Sequence, residues 1–73
     1  MDTATSTALT VTLNGVPIAT ATATLADLVA EQGFGGGRVA TAVNGTFVPE
    51  RARAATRLEP GDAIEVVSAR QGG

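Results

Sequence analysis

From Leu9 the chain alternates, with Leu9, Val11 and Leu13 apolar and Thr10 and Thr12 between them. A period of two that sets one face on a core is the mark of a β-strand. Asn14-Gly15 comes next, the pair that supplies positive φ at both central positions of a type I′ turn. Val16-Pro17-Ile18-Ala19-Thr20 then returns as the second arm of a hairpin. Pro17 has no N–H to give to a ladder, so this strand is expected at a sheet edge or with that N–H side outward. At Thr24 the period changes. Leu25, Leu28 and Val29 stand at i, i+3 and i+4, and Asp27 follows Thr24 by three residues as an acidic variant of the capping box. The spacing predicts a helix of about two turns. It closes on Glu31 and Gln32, with Gly33 as the left-handed residue past its end.

The second half repeats the alternation. Val39, Thr41 and Val43 alternate with Ala40 and Ala42, Asn44-Gly45 turns the chain, and Thr46-Phe47-Val48 returns until Pro49 stops the pattern. Gly35-Gly36-Gly37 before it reads as a loose connection, and Phe34 as a plug over one end of the core. Residues 50–56 mix arginines and an acid among alanines and are read as irregular. In Glu59-Pro60-Gly61-Asp62 the Pro and Gly take the two central positions of a type II turn, and residues 63–67 form the last strand. The expected core is Leu9, Val11, Leu13, Leu25, Leu28, Val29, Val39, Val43, Ile64 and Val66. Hairpin, helix, hairpin, short crossover and final strand is an order that resembles the β-grasp (ubiquitin-like) fold. The expectation is thus an α+β domain with a mixed five-stranded sheet and one main helix on one face. Its last strand would lie parallel to the first at the sheet's centre.

Composition sharpens this picture. Seventy-three residues make one small domain. The apolar fraction is 44%, nearly half of it alanine, so the core is light and backbone pairing carries much of the order. With no cysteine and no histidine, disulfide scaffolds, zinc and iron–sulfur sites, thiol catalysis and histidine general-base catalysis are excluded. The chain reads as no enzyme, with no resident metal or cofactor. Net charge is −2 and lysine is missing, so nucleic acid is a poor partner. Residues 1–8 are small and polar without a positive or apolar leader pattern, read as a disordered lead-in. With no run of membrane-span length, the reading is a cytoplasmic protein with no membrane partner.

Candidate chemistry gathers at the end of the chain. After Val67 come Ser68, Ala69, Arg70, Gln71, Gly72 and Gly73, with no large apolar anchor, so residues 9–67 are expected to form the domain and 68–73 a flexible tail. Extended, six residues reach roughly 20 Å. Glycines without Cβ fit a narrow channel and leave the terminal carboxylate unhindered. That carboxylate is ionised at neutral pH, hence a poor electrophile until a nucleotide-using partner activates it. Elsewhere the signals are weaker. Asp27 and Glu31, at i and i+4, form a solvated face rather than a catalytic pair. The glycines around Phe34 lack the Lys and Ser/Thr of a phosphate loop. Alternation exposes one of Phe47 and Val48, so these two are a candidate partner surface beside Arg70.

Together the hairpin over residues 9–20, Thr24-Leu25-Ala26-Asp27-Leu28, Val43-Asn44-Gly45-Thr46-Phe47-Val48-Pro49, Pro60-Gly61-Asp62 and the Gly72-Gly73 end resemble the ThiS family. These are ubiquitin-like sulfur carriers of thiamine biosynthesis, and the resemblance covers residues 9–73. It implies that Gly73 is adenylated by an E1-like, ThiF-type enzyme using ATP and Mg²⁺ and converted to a thiocarboxylate. A sulfur donor system would load it, and a ThiG-type thiazole synthase would take the sulfur. Gly72, Gln71 and Arg70 would be read by those enzymes. Glu50-Arg51-Ala52-Arg53 departs from the arginine and later aromatic that often follow Val-Pro in the family. Two alternatives stay open: a MoaD-like or other-pathway sulfur carrier, and a β-grasp interaction module with an inert tail.

Overall fold

The computed structural model describes residues 8–34 and 38–68, and the alternating segments lie in it as strands. These are β1 Leu9–Leu13, β2 Val16–Thr20, β3 Val39–Val43, β4 Thr46–Val48 and β5 Ala63–Ser68, with helix α1 Leu25–Glu31 between β2 and β3. They form one sheet in the order β2-β1-β5-β3-β4. β5 runs parallel to β1 and antiparallel to β3. The last strand of the chain therefore sits at the centre, as its late arrival after a crossover predicts. It extends one residue past the expected limit, since Ser68 pairs with Val39. The lead-in over residues 1–7 and the connection over 35–37 lie outside the described residues.

Both hairpins turn as their dipeptides require: Asn14 and Asn44 have φ of 52°, Gly15 86° and Gly45 84°. In a two-residue hairpin the residues flanking the turn, here Leu13 and Val16, form a hydrogen-bonded pair, so the next pair, Thr12 and Pro17, does not. Pro17 thus stands on edge strand β2, where its missing N–H would have pointed outward. Thr24 caps α1, its Oγ accepting from the Asp27 N–H at 3.2 Å. At the other end Phe34 N–H donates to the Val29 carbonyl and Gly33 N–H to the Ala30 carbonyl. With Gly33 at φ 88°, this is a Schellman ending, in which the residue after glycine packs back on the helix. Phe34 does so, lying half-buried against the core as expected.

The buried core is Val11, Leu25, Leu28, Val29, Val48, Leu58, Ile64 and Val66. Leu9, Leu13, Val39 and Val43, expected in it, pack against its rim. Val48 and Leu58 are additions. Leu58 is the one large apolar residue between Val48 and Ile64, and it is drawn in by the helix start. Leu25 N–H donates to Thr56 O and Leu58 N–H to Ala23 O, at 2.9 and 3.0 Å, a short antiparallel bridge. Glu50–Ala55, read as irregular, is a 3-10 helix. Pro49 leads it in with φ −69°, Ala52 N–H donates to Pro49 O, and Thr56 Oγ returns to Ala52 O at 2.8 Å. Short segments with one apolar contact, here Ala52 against the core, suit this tighter helix. No helix among the described residues is long and apolar enough to cross a membrane.

Candidate functional site

The strand that leads into the chain's end is held on both edges. Its early half lies between β1 and β3, with Ile64 opposite Leu13 and Val43. At each hairpin turn, however, the asparagine swings its own carbonyl away from β5, and the carboxamide takes over. Asn44 N–H donates to Ala63 O at 2.8 Å, and Ala63 N–H donates to Asn44 Oδ1 at 3.0 Å. Asn44 Nδ2 also donates to Asp62 Oδ1 at 2.9 Å, while Asp62 Oδ2 accepts from the Glu59 N–H at 2.8 Å and ties the type II turn. Asn14 does the same further along. Its N–H donates to Ile64 O, its Oδ1 accepts from Val66 N–H at 2.9 Å and its Nδ2 donates to Val66 O at 3.0 Å. The sequence reading assigned both asparagines to turns alone. What signals the second role is Asn, with donor and acceptor together, where Gly or Asp would also make the turn.

Which face a side chain takes follows from the register. Thr41 pairs with Val66 and Val48, and all three are buried beneath α1. Successive residues point to opposite faces, so Phe47, Ala42, Ala40, Glu65 and Val67 lie on the other side, which no helix among the described residues covers. Phe47 is 64% exposed and Val67 58%. With Asn14 they line a shallow concavity of about 460 Å³. Of the two candidates for a partner surface, Phe47 is exposed on this open face and Val48 is not: at 8% exposed, Val48 belongs to the core. The register fixes this choice by setting Val48 opposite Thr41. The Thr41 hydroxyl donates to Val48 O at 2.7 Å and accepts from Arg53 Nε at 3.0 Å, and Arg53 Nη2 reaches Val39 O at 2.7 Å. A buried hydroxyl satisfied in both senses pins the short edge strand β4 to β3.

Asp27 and Glu31, read as a solvated face, are both exposed, and Glu31 in addition accepts from the buried Thr20 hydroxyl at 2.8 Å. It closes β2 onto the helix end. No group of three His, Cys, Asp or Glu side chains that could hold a metal ion occurs among the described residues. Arg70, Gln71, Gly72 and Gly73 lie outside the described residues; the last described position before them is Ser68, at the end of the central strand.

A mixed sheet with one helix across one face, a bare face opposite, and its final strand in the middle is a β-grasp domain. The chain belongs to the ThiS family, whose model matches residues 11–73. Among solved structures it is similar to the crystal structure of the thiamine biosynthesis protein (ThiS) from Geobacter metallireducens, at 26% identity and a TM-score of 0.74. That match covers 89% of this chain and all of the other. No curated protein matches the sequence significantly.

Proposed function

We propose that this protein is a sulfur carrier for thiazole formation in thiamine biosynthesis, working through the carboxylate of Gly73. The observation that carries the reading is the family match, which runs through the Gly72-Gly73 end. The name of the similar Geobacter protein, a thiamine biosynthesis protein, supports the pathway over other carriers and over an inert module. The chain is a substrate of other enzymes rather than a catalyst. A ThiF-type, E1-like enzyme binds it with ATP and Mg²⁺. A Gly73 carboxylate oxygen attacks the α-phosphorus of ATP, pyrophosphate leaves, and the mixed anhydride makes the carbonyl carbon electrophilic. Hydrosulfide supplied by the donor system then attacks that carbon and expels AMP, and loss of its proton leaves the thiocarboxylate. A ThiG-type synthase takes the sulfur.

Two surfaces serve this sequence. Phe47, Val67 and the alanine floor between them form the docking face, and Arg70, Gln71 and Gly72 are read along the channel to the nucleotide. Intact-protein mass spectrometry tests the chemistry. With ATP, Mg²⁺, the E1-like enzyme and a sulfur donor, the protein is expected to gain the mass difference between sulfur and oxygen, located at Gly73. A full-length protein that stays unmodified while an authentic carrier is modified by the same partner overturns the reading and leaves the inert interaction module.

A further inference from the structure

In a parallel pair the ladder advances by peptide groups, each residue of one strand bonding to positions on both sides of its neighbour in the other. β1 supplies Thr12 N–H to Asp62 O and Asn14 N–H to Ile64 O. The next step along β5 is the peptide of Val66, but there β1 has already bent into its turn at φ 52°. The Asn14 carboxamide stands in for the missing peptide, accepting from Val66 N–H and donating to Val66 O. Among the described residues it is the last hold on β5 from the β1 side. Past it, Val67 and Ser68 pair with β3, opposite Ala40 and Val39.

We propose that Asn14 is a positioning residue: by fixing the heading of β5 at Val66 it raises the fraction of docked complexes in which Gly73 meets a nucleotide site. This rests on the carrier reading above. Asn44 supplies an internal control, because at the same backbone angle its carboxamide also accepts from a β5 N–H, that of Ala63 at the start of the strand, while its Nδ2 goes to Asp62 Oδ1. Loosening the start of β5 weakens the fold without turning the tail. Loosening Val66 does both, and the fraction of docked complexes with Gly73 in reach falls.

The variants are Asn14→Gly and Asn44→Gly, since glycine keeps the turn geometry and deletes only the carboxamide. In steady-state thiocarboxylation with saturating ATP and varied carrier, Asn14→Gly is expected to lower kcat about tenfold with KM within about twofold, the pattern of a contact that acts after binding. Asn44→Gly is expected to keep kcat within about twofold despite a similar fall in melting temperature. Amide exchange in the free protein gives a readout that needs no partner: Val66 N–H is expected to exchange about tenfold faster in Asn14→Gly, and Ala63 N–H in Asn44→Gly. An unchanged kcat in Asn14→Gly, equal losses in both variants, a loss confined to KM or an unchanged Val66 exchange rate overturns the proposal. If the wild-type chain gains no sulfur, the carrier reading falls and this one with it; if it does and Asn14→Gly keeps full kcat, only this one falls.

Discussion

Phe47 and Val48 are chain neighbours on opposite faces of a three-residue strand, so replacing each by alanine separates docking from folding. Phe47 is 64% exposed, which for a side chain of about 200 Å² leaves roughly 130 Å² open to a partner. At about 25 cal/mol per Å², complete coverage contributes about 3 kcal/mol, and alanine keeps about a third of that. Phe47→Ala is therefore expected to weaken binding to the E1-like enzyme by about 2 kcal/mol, roughly 30-fold in Kd, with little change in stability. Val48→Ala removes two buried methyl groups under α1 and leaves a cavity, about 2 kcal/mol of folding free energy. For a chain this size that is a fall of about 10 °C in melting temperature, with Kd unchanged wherever the variant stays folded. The chain has neither Trp nor Tyr, so far-UV circular dichroism follows the melts and isothermal calorimetry the binding. A Phe47→Ala melt as depressed as that of Val48→Ala would falsify the facing of β4. A Kd shifted less than about threefold removes the open face from the docking surface.

Thr24→Ala deprives the Asp27 N–H of its cap and is expected to cost about 1 kcal/mol, visible as a melt lower by about 5 °C. Leu28→Ala empties a fully enclosed position on α1, 0% exposed like Leu25, at about 3 kcal/mol. In so small a domain that is most of the margin, so a broad, non-cooperative melt is expected and a melt within 5 °C of wild type contradicts the assigned core. Thr41→Val keeps the shape but strips the hydroxyl between Val48 O and Arg53 Nε, an expected loss of about 1–2 kcal/mol by chemical denaturation. Deleting Gly73 is expected to abolish the sulfur mass gain while leaving the melt unchanged, because every described core residue lies between Leu9 and Val66.

The elements were legible because each is announced locally. The Asn-Gly pairs dictate positive φ, the Thr24 cap and Gly33 bound the helix, and strict alternation faces the strands. Even the central place of β5 follows from chain order and the handedness of crossovers. What the sequence hid depends on distance along the chain. Asn14 and Val66 stand 52 residues apart, and no local pattern says that a turn residue completes another strand's ladder. Leu58 reads as an isolated apolar residue until its pairing with the helix start brings it inward. The 3-10 helix over Glu50–Ala55 has no period long enough to mark it. For the candidate surface, alternation alone left Phe47 and Val48 equivalent, and the hairpin register, which sets Val48 opposite Thr41 and Phe47 opposite Ala42, decides which one faces out.

The facing of β4 also bears on function through what it forgoes. This chain has two aromatic residues and a core whose largest fully buried members are Leu25, Leu28 and Ile64. Small domains bury a low fraction of their surface and sit near the limit of stability. A register placing Phe47 inward and Val48 outward would have enlarged that core by several methylene equivalents. The sheet instead keeps valine under the helix and sets phenylalanine beside Val67 on a bare face, over a floor of Ala40 and Ala42 too small to shelter it. Stability does not explain that arrangement. Under the function proposed above it serves recognition: an aromatic anchor with small neighbours offers a partner a projecting ring and a flat surround to pack against. Because Ala42 pairs with both Phe47 and Glu65, and Ala40 with Val67, the anchor is carried by the same ladder that carries the end of β5. In the proposed carrier, a partner that seats the ring thereby also fixes the position of Ser68 at the end of β5.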